Sequence, residues 1–447
     1  MSEWLRRPQV ALVNPVIFVP GITATYLKDE YKLPPDFVWT VLTKEYEKVA
    51  LHPDDLRYEV QEPARLRPDQ LYEIAYKELV EELRYNLRKR EDLKVPVYPF
   101  GYDWRMRLED IEASLSDFIE EVIDRTKLLK HYNKEGYGNK PKVNLVGHSM
   151  GGLIIAGYLK SHGGGLVDKV ATLATPFQGS FEAVIKVTTG TADLGVSPPS
   201  SRERESARVT PSLYYLVPSF KNGVETPPGL PDTLFDPAVW QPSIVKSIEQ
   251  WIKLKGLPDN TRSDLQRAKE IFAMMLGWGR AHRKKVDSFK LSDAGMTPDR
   301  WLAVVGVNTV TRVRLRVEKS GSSPEFKLSS SDRADHWNKL NTLDPLCRFT
   351  GDGTVPFEGA VPKFLAPENL VCVTPADYGY WEIGDKIVNS VGGFHGILPN
   401  MNMLHRLLVR FFTGAPDSRE NTWGRRAPGV AKEAWKPPLP LADKTDK

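Results

Sequence analysis

A chain of 447 residues with 41% hydrophobic and 26% charged residues has the material for a large soluble core, which excludes a disordered or membrane-spanning class. Its 61 basic and 57 acidic residues leave a formal charge of +4, so no field for polyanions arises and nucleic acid is not an expected partner. Two cysteines, Cys347 and Cys372, are too few for a disulfide framework and lack metal-ligand spacing, leaving only a single bridge between them open.

The start, Met1 to Arg7, is charged early, and the apolar run after it is broken by Asn14 and Pro15, so it does not read as a signal peptide. No stretch is apolar and long enough to span a bilayer, and a cytoplasmic location is expected. Val16-Ile17-Phe18-Val19, stopped by Pro20-Gly21, predicts a strand buried on both faces of a parallel sheet. Residues 36 to 66 are mixed, 70 to 89 have helical spacing through Leu71, Ile74, Ala75, Leu79 and Leu83, and Val95 to Tyr98 is a strand. Ile111, Leu115, Phe118, Ile119 and Val122 mark an amphipathic helix leading to a strand at Val143 to Val146. A helix from after Ser149 to about Lys160, then a strand at Lys169 to Leu173, completes repeating βαβ units. From 181 to 299 the pattern becomes Pro-punctuated and helical, near 243 to 255 and 263 to 281, as expected of an inserted cap. Sheet-like sequence returns at Trp301 to Val307, Val313 to Val317 and Leu370 to Val373 before a last helix at Met401 to Phe412. The expected organisation is an α/β-hydrolase core at 1–180 and 300–413, a cap or lid at 181–299, and a peripheral tail at 414–447.

Val143 to Val146 runs into Gly147-His148-Ser149-Met150-Gly151, a Gly-x-Ser-x-Gly between a strand and a helix. Without that context the motif would read as an ordinary glycine turn; with it, Ser149 is the candidate nucleophile on a tight elbow formed by Gly147, His148 and Gly151. The helix start supplies free N–H groups, and the Met150 N–H is the first oxyanion donor. A second donor is expected after an earlier strand, where Val19-Pro20-Gly21-Ile22 offers the Ile22 N–H.

Serine needs a base and an orienting carboxylate, in the chain order Ser, acid, His. Asp352, within Gly351-Asp352-Gly353-Thr354, is the candidate acid, and Asp344 is the weaker alternative. His395 and His405 follow it. His395 lies in the loop Gly392-Gly393-Phe394-His395-Gly396 and is the candidate base, whereas His405 falls in the closing helix with Met401, Leu404, Leu407 and Leu408 and reads as structural. His336 precedes Asp352, and His148 reads better as elbow packing than as chemistry. Such a triad requires no metal or organic cofactor.

Five blocks in order, Pro15 to Gly21, Tyr102-Asp103-Trp104-Arg105, Gly147 to Gly151, Ala174 to Ser180 and Gly351 to Pro356, are similar to those of the lecithin:cholesterol acyltransferase family, which includes lysosomal phospholipase A2. The resemblance implies the α/β-hydrolase fold, Ser149, Asp352 and His395 as triad, and Ile22 and Met150 as oxyanion donors. It also implies that Asp103 and Arg105 pair inside the fold near the site. The region from Phe37 to Leu56, a disulfide-closed lid in animal members, has no cysteine here. Pro211 to Pro218 is similar to the family's cap, so Tyr214, Tyr215, Leu216, Trp240 and Trp251 are candidates for an acyl pocket, although ordinary cap packing explains them equally well.

The expected function is carboxylic ester hydrolysis on an ester or acyl-lipid substrate, with acyl transfer to an alcohol or lysolipid as the alternative from the same triad. A catalytically silent binding protein on the same fold is the rival from another class. The basic runs Arg280 to Lys285 and Arg425-Arg426 offer transient contact with a lipid surface, though such runs are usually solvated faces. The sequence leaves the oligomeric state open.

Overall fold

In this computed structural model, residues 12–445 are described except 62, 89, 191–200, 335–349, 380–381 and 383–392. Cys347, Asp344 and His336 therefore lie outside the described residues, as does Gly392. Six strands form the central sheet: β1 (Val16–Val19), β2 (Val97–Pro99), β3 (Val143–His148), β4 (Val167–Leu173), β5 (Trp301–Gly306) and β6 (Val371–Val373). Their order is β6-β5-β4-β3-β1-β2, and every neighbouring pair is parallel. Parallel strands need crossovers, and the crossing helices cover both faces of the sheet, so these strands read as unbroken apolar runs.

Alternation along β1 shows how the layers form. Val16 and Phe18 face a core with Leu79 and Leu83 of helix α1 (Glu73–Asn86) and with Leu404, Leu407 and Leu408 near the C-terminus. Ile17 and Val19 face the opposite core, with Ile111, Leu115 and Ile119 of α2 (Leu108–Lys127) and Leu153 and Ile154 of α3 (Met150–His162). Burying each such side chain contributes roughly 1.5–3 kcal/mol before entropy is counted. In α1 the inward face is Tyr76, Leu79, Val80 and Leu83; Ile74, expected on it, is exposed. Its stripe is set by a helix that starts three residues later than the periodicity suggested, because Leu66–Leu71 is a strand of a small sheet with Thr25–Asp29 and Asp36–Trp39.

Between β4 and β5 the chain builds a third core around α4 (Pro242–Lys255) and α5 (Asp264–Asp287), the latter capped by Ser263 Oγ, which accepts from Gln266 N–H at 3.2 Å. Val313 to Val317, expected in the catalytic core, does not join the central sheet. Leu315–Ser320 pairs instead with Ser323–Lys327 and with Val224–Glu225, and Leu315, Val317 and Phe326 pack in the third core. A short apolar run specifies a strand, not its partner, and here the partner came from the insertion.

The last helix is α6 (Asn402–Thr413). Beyond it the tail is not peripheral. Cys372 N–H donates to Arg425 O at 2.9 Å and Arg425 N–H to Cys372 O at 3.0 Å, so the tail covers the open edge of β6. Arg425 also pairs with buried Asp377, Trp423 Nε1–H donates to Asp377 Oδ1 at 2.7 Å, and Trp435 Nε1–H to Leu370 O at 2.9 Å. Cys372 is buried and free, and burial pushes its thiol far above the usual range. No described helix is long and apolar enough to cross a membrane.

The basic runs are largely consumed inside. His282 Nε2 meets Glu112 Oε1 at 2.7 Å, Lys285 pairs with Glu112, and Arg283 NH1 donates to Ser219 Oγ at 2.7 Å. Arg426 Nε lies 2.8 Å from Asp443. Of the first run, Arg280 and Lys284 stay exposed.

Candidate active site

At the end of β3 the chain turns sharply into α3, and Ser149, at φ 52° and ψ −127°, occupies a region that side-chain-bearing residues rarely adopt. Its neighbours explain how the turn is tolerated. A Cβ on Gly151 would lie 2.2 Å from Val19 O, and one on Gly147 would lie 2.7 Å from Gly152 N. Only glycine lets α3 approach the end of β1 this closely, and the same approach sets Gly21 against Ser149. Gly151→Ala is therefore expected to lower stability by about 1–3 kcal/mol through overpacking and to abolish reaction at Ser149, read by chemical denaturation and by a serine-directed label. A variant that folds and labels like the parent contradicts this account of the elbow.

Three side chains distant in sequence meet there. His395 Nε2 lies 2.9 Å from Ser149 Oγ, and His395 Nδ1 lies 2.7 Å from Asp352 Oδ2. Asp352 Oδ1 accepts the N–H groups of Thr354 at 2.9 Å and Val355 at 2.7 Å, which leaves Oδ2 to face the imidazole. The turn Gly351 to Pro356 thus orients the carboxylate by its own backbone. His395 N–H also donates to Asp352 O at 3.1 Å, tying the two loops together. Asp352 is 1% exposed, Ser149 7% and His395 9%, so the row is shielded from water with its open end at the serine and base.

Gly21 and Ile22 follow β1, and the turn is held by neighbours that no motif announced. Gly21 N–H donates to Tyr76 Oη at 3.1 Å, and Tyr102 Oη donates to Pro20 O at 2.8 Å. Met150 is the first residue of α3, so its N–H is one of the donors the helix itself leaves unused. Thr23, at φ 62°, ends the turn, and its carbonyl accepts from Trp39 Nε1–H at 2.9 Å. His148 is buried within the elbow, where desolvation holds its imidazole well below the ordinary range and keeps it neutral. Tyr76 sits in an apolar helical stripe and gives no signal in sequence; Tyr102 lies in one of the family blocks but reads there as structural.

The other candidates lie elsewhere. Tyr214 Oη donates to Arg208 O at 2.7 Å, Trp240 Nε1–H to Leu234 O at 2.7 Å and Trp251 Nε1–H to Leu51 O at 3.2 Å. Tyr215 Oη donates to Glu109, and Leu216 packs in the core against the sheet. All five are buried, and the polar groups of the four aromatics are committed to internal hydrogen bonds. Arg105, fully buried, holds Asp103 through Nε at 2.9 Å and Glu59 through NH2 at 2.9 Å. Among the described residues no group of three His, Cys, Asp or Glu could hold a metal ion.

His405 donates from Nε2 to Pro399 O at 2.7 Å, and burial pushes its pKa down to about 4. Because the unfolded chain takes the proton near pH 6.5 and the folded one does not, stability is complete above about 6.5 and falls as the pH drops towards about 4, by at most about 3 kcal/mol. Urea denaturation from pH 7 to 4 should show this slope, and it should flatten in His405→Gln; an unchanged slope would remove His405 from the account.

The model of the lecithin:cholesterol acyltransferase family matches residues 58–251. Over that stretch the chain is similar to the lecithin:cholesterol acyltransferase family. The matched stretch contains Ser149 and the block Tyr102 to Arg105 but ends before Asp352 and His395. The structure of a Tle4–Tli4 complex is similar at TM-score 0.53 and 16% identity, over 78% of this chain and 88% of that one. The mature form of the lipase BlEst2 from Bacillus licheniformis is similar at TM-score 0.33 and 13% identity, over 90% and 92% of the two chains. Among curated proteins none matches the chain. The fold is that of the α/β-hydrolases, and the family match carries the coarse class, an enzyme of the lipid ester hydrolase or acyltransferase type.

Proposed function

We propose that the protein is a serine hydrolase that cleaves carboxylic esters of acyl lipids through an acyl-enzyme on Ser149, with His395 as base and Asp352 as its orienting acid. The observation that carries this reading is the unbroken row Asp352 Oδ2, His395 and Ser149 Oγ, with contacts of 2.7 and 2.9 Å, at the strained elbow. His395 Nε2 takes the Oγ proton as Oγ attacks the ester carbonyl, and the Met150 and Ile22 N–H groups receive the oxyanion. The proton passes to the departing alcohol, and the base then activates water to release the acid.

Lipid as the substrate class is supported by the family match and by exposed apolar side chains on the small sheet's loops. Tyr31 and Leu33, in the connection between the strands Thr25–Asp29 and Asp36–Trp39, and Leu42, in the loop after Trp39, are largely exposed. The family match favours a second outcome of the same acyl-enzyme, transfer to an alcohol or lysolipid in place of water.

The test is labelling with a fluorophosphonate, read by mass spectrometry, together with turnover of a phospholipid and a glycerol ester below and above their aggregation concentration. Label on Ser149 and turnover that rises on aggregates are expected, and adding a long-chain alcohol separates hydrolysis from transfer. A folded protein that neither labels nor turns over short or long esters would return the chain to the binding-protein reading. Equal activity on dispersed and aggregated substrate would remove the lipid-surface part alone.

A further inference from the structure

Two buried phenols grip a single peptide beside the candidate nucleophile. The carbonyl of Pro20 accepts from Tyr102 Oη at 2.8 Å, and the N–H of Gly21 donates to Tyr76 Oη at 3.1 Å, so both polar groups of the Pro20–Gly21 peptide plane are held from different elements. The next N–H along the chain is that of Ile22. A Cβ on Gly21 would lie 3.1 Å from Ser149 Cβ, which puts this turn directly against the nucleophile.

Chemistry sets the direction of every bond behind that grip. His148 Nε2 lies 3.0 Å from His395 O, and a carbonyl oxygen can only accept, so Nε2 carries the proton. His148 is kept neutral by burial, so Nδ1 is a lone pair, and Tyr76 Oη, 2.9 Å away, must donate to it. That leaves the Tyr76 oxygen free to accept from Gly21. One polarised chain therefore runs from the Gly21 N–H through Tyr76 and His148 to the carbonyl of His395, whose own N–H is bonded to Asp352 O. The rings are packed as well as bonded: Phe18 and Tyr76 centroids are 4.8 Å apart, and those of His148 and His395 5.0 Å.

We propose that Tyr76, Tyr102 and His148 are positioning residues that lock the Pro20–Gly21 peptide against Ser149 and the base, and so aim the Ile22 N–H at the developing oxyanion. The proposal rests on the serine hydrolase reading above. None of the three needs to touch substrate. Their role is to remove the freedom of a turn that contains Gly21 and carries the strained Thr23, so that the donor stands in place before charge develops. An ångström of misplacement at such a donor costs on the order of 10²-fold in rate.

Tyr76→Phe and Tyr102→Phe keep the rings and delete one bond to the peptide each. The readout is turnover of an aryl ester against the matching thionoester, whose C=S accepts hydrogen bonds poorly and draws little help from an oxyanion hole. In each variant the ester kcat is expected to fall by about 10- to 100-fold with KM unchanged, while the thionoester rate barely moves, so the ester to thionoester ratio collapses. The double variant should lose less than the product of the two, because both bonds hold one peptide. If ester and thionoester rates fall together, or neither falls, in variants that unfold at the parental temperature, the two tyrosines are structural and the proposal fails. Should Tyr76→Phe not fold, Tyr102→Phe carries the same comparison, since it leaves the His148 chain intact. Failure of the underlying reading looks different: the parent protein itself then shows neither turnover nor label on Ser149.

Discussion

Substituting Ser149 with alanine will lower ester turnover by about 10⁶-fold, and Asp352→Asn will lower it by about 10⁴-fold on a protein that folds as before. The second result is the more informative. Asp352 Oδ1 is occupied by the N–H groups of Thr354 and Val355, and the carboxamide oxygen of asparagine can keep both bonds. Its NH2 is then turned towards His395 Nδ1, where a carboxylate oxygen accepted a hydrogen bond. The imidazole must present a lone pair to that NH2, so its proton moves to Nε2, the atom that faces Ser149 Oγ and has to receive a proton. Steady-state hydrolysis of a p-nitrophenyl ester by the parent and the two variants checks this. An Asp352→Asn variant retaining more than a tenth of parental kcat would sink the assignment of the acid.

The largest stability loss away from the site is expected from Arg425→Met. Arg425 and Asp377 are both buried, and Asp377 takes further hydrogen bonds from Thr374 N–H at 2.9 Å and Trp423 Nε1–H at 2.7 Å. Removing the arginine leaves a buried carboxylate without its cation, which costs about 3–5 kcal/mol. Removing an exposed partner such as Lys32, paired with Asp36 at 2.7 Å, costs far less, because water screens the pair. Urea denaturation of the two variants tests the contrast, and an Arg425→Met loss below about 1 kcal/mol would show that the tail merely lies on the sheet. The strand edge at β6 adds a second consequence: with the Arg425 backbone displaced, Cys372 N–H and O lose their partners, and aggregation through that edge should increase.

Local patterns carried a good deal of this protein. β1, β3 and β4 are apolar runs buried from both sides, and such a run needs no partner to be recognised. The elbow was legible because Gly-x-Ser-x-Gly demands glycine where a Cβ on α3 would lie 2.2 Å from a carbonyl oxygen of β1, and that demand is written at fixed spacing. Asp352 and His395 could be named because chain order left few candidates, although only the folded chain brings positions 43 residues apart to 2.7 Å.

Where the outcome depended on which surfaces meet, the sequence was silent or misleading. Leu315–Ser320 had the composition of a core strand but found its partner in the insertion, and a tail rich in proline and arginine became the cover of a sheet edge. The cap aromatics had the chemistry of an acyl pocket, yet their N–H and O–H groups are spent on the backbone of their own core. Tyr76 looked like one more position in a helical stripe. Its hydroxyl matters only because folding sets it between Gly21 and His148, residues 55 and 72 positions away. Periodicity, capping and turn chemistry are short-range and are determined by the sequence alone; the direction of a hydrogen bond between distant elements is decided only when tertiary packing removes water and leaves each buried donor one acceptor.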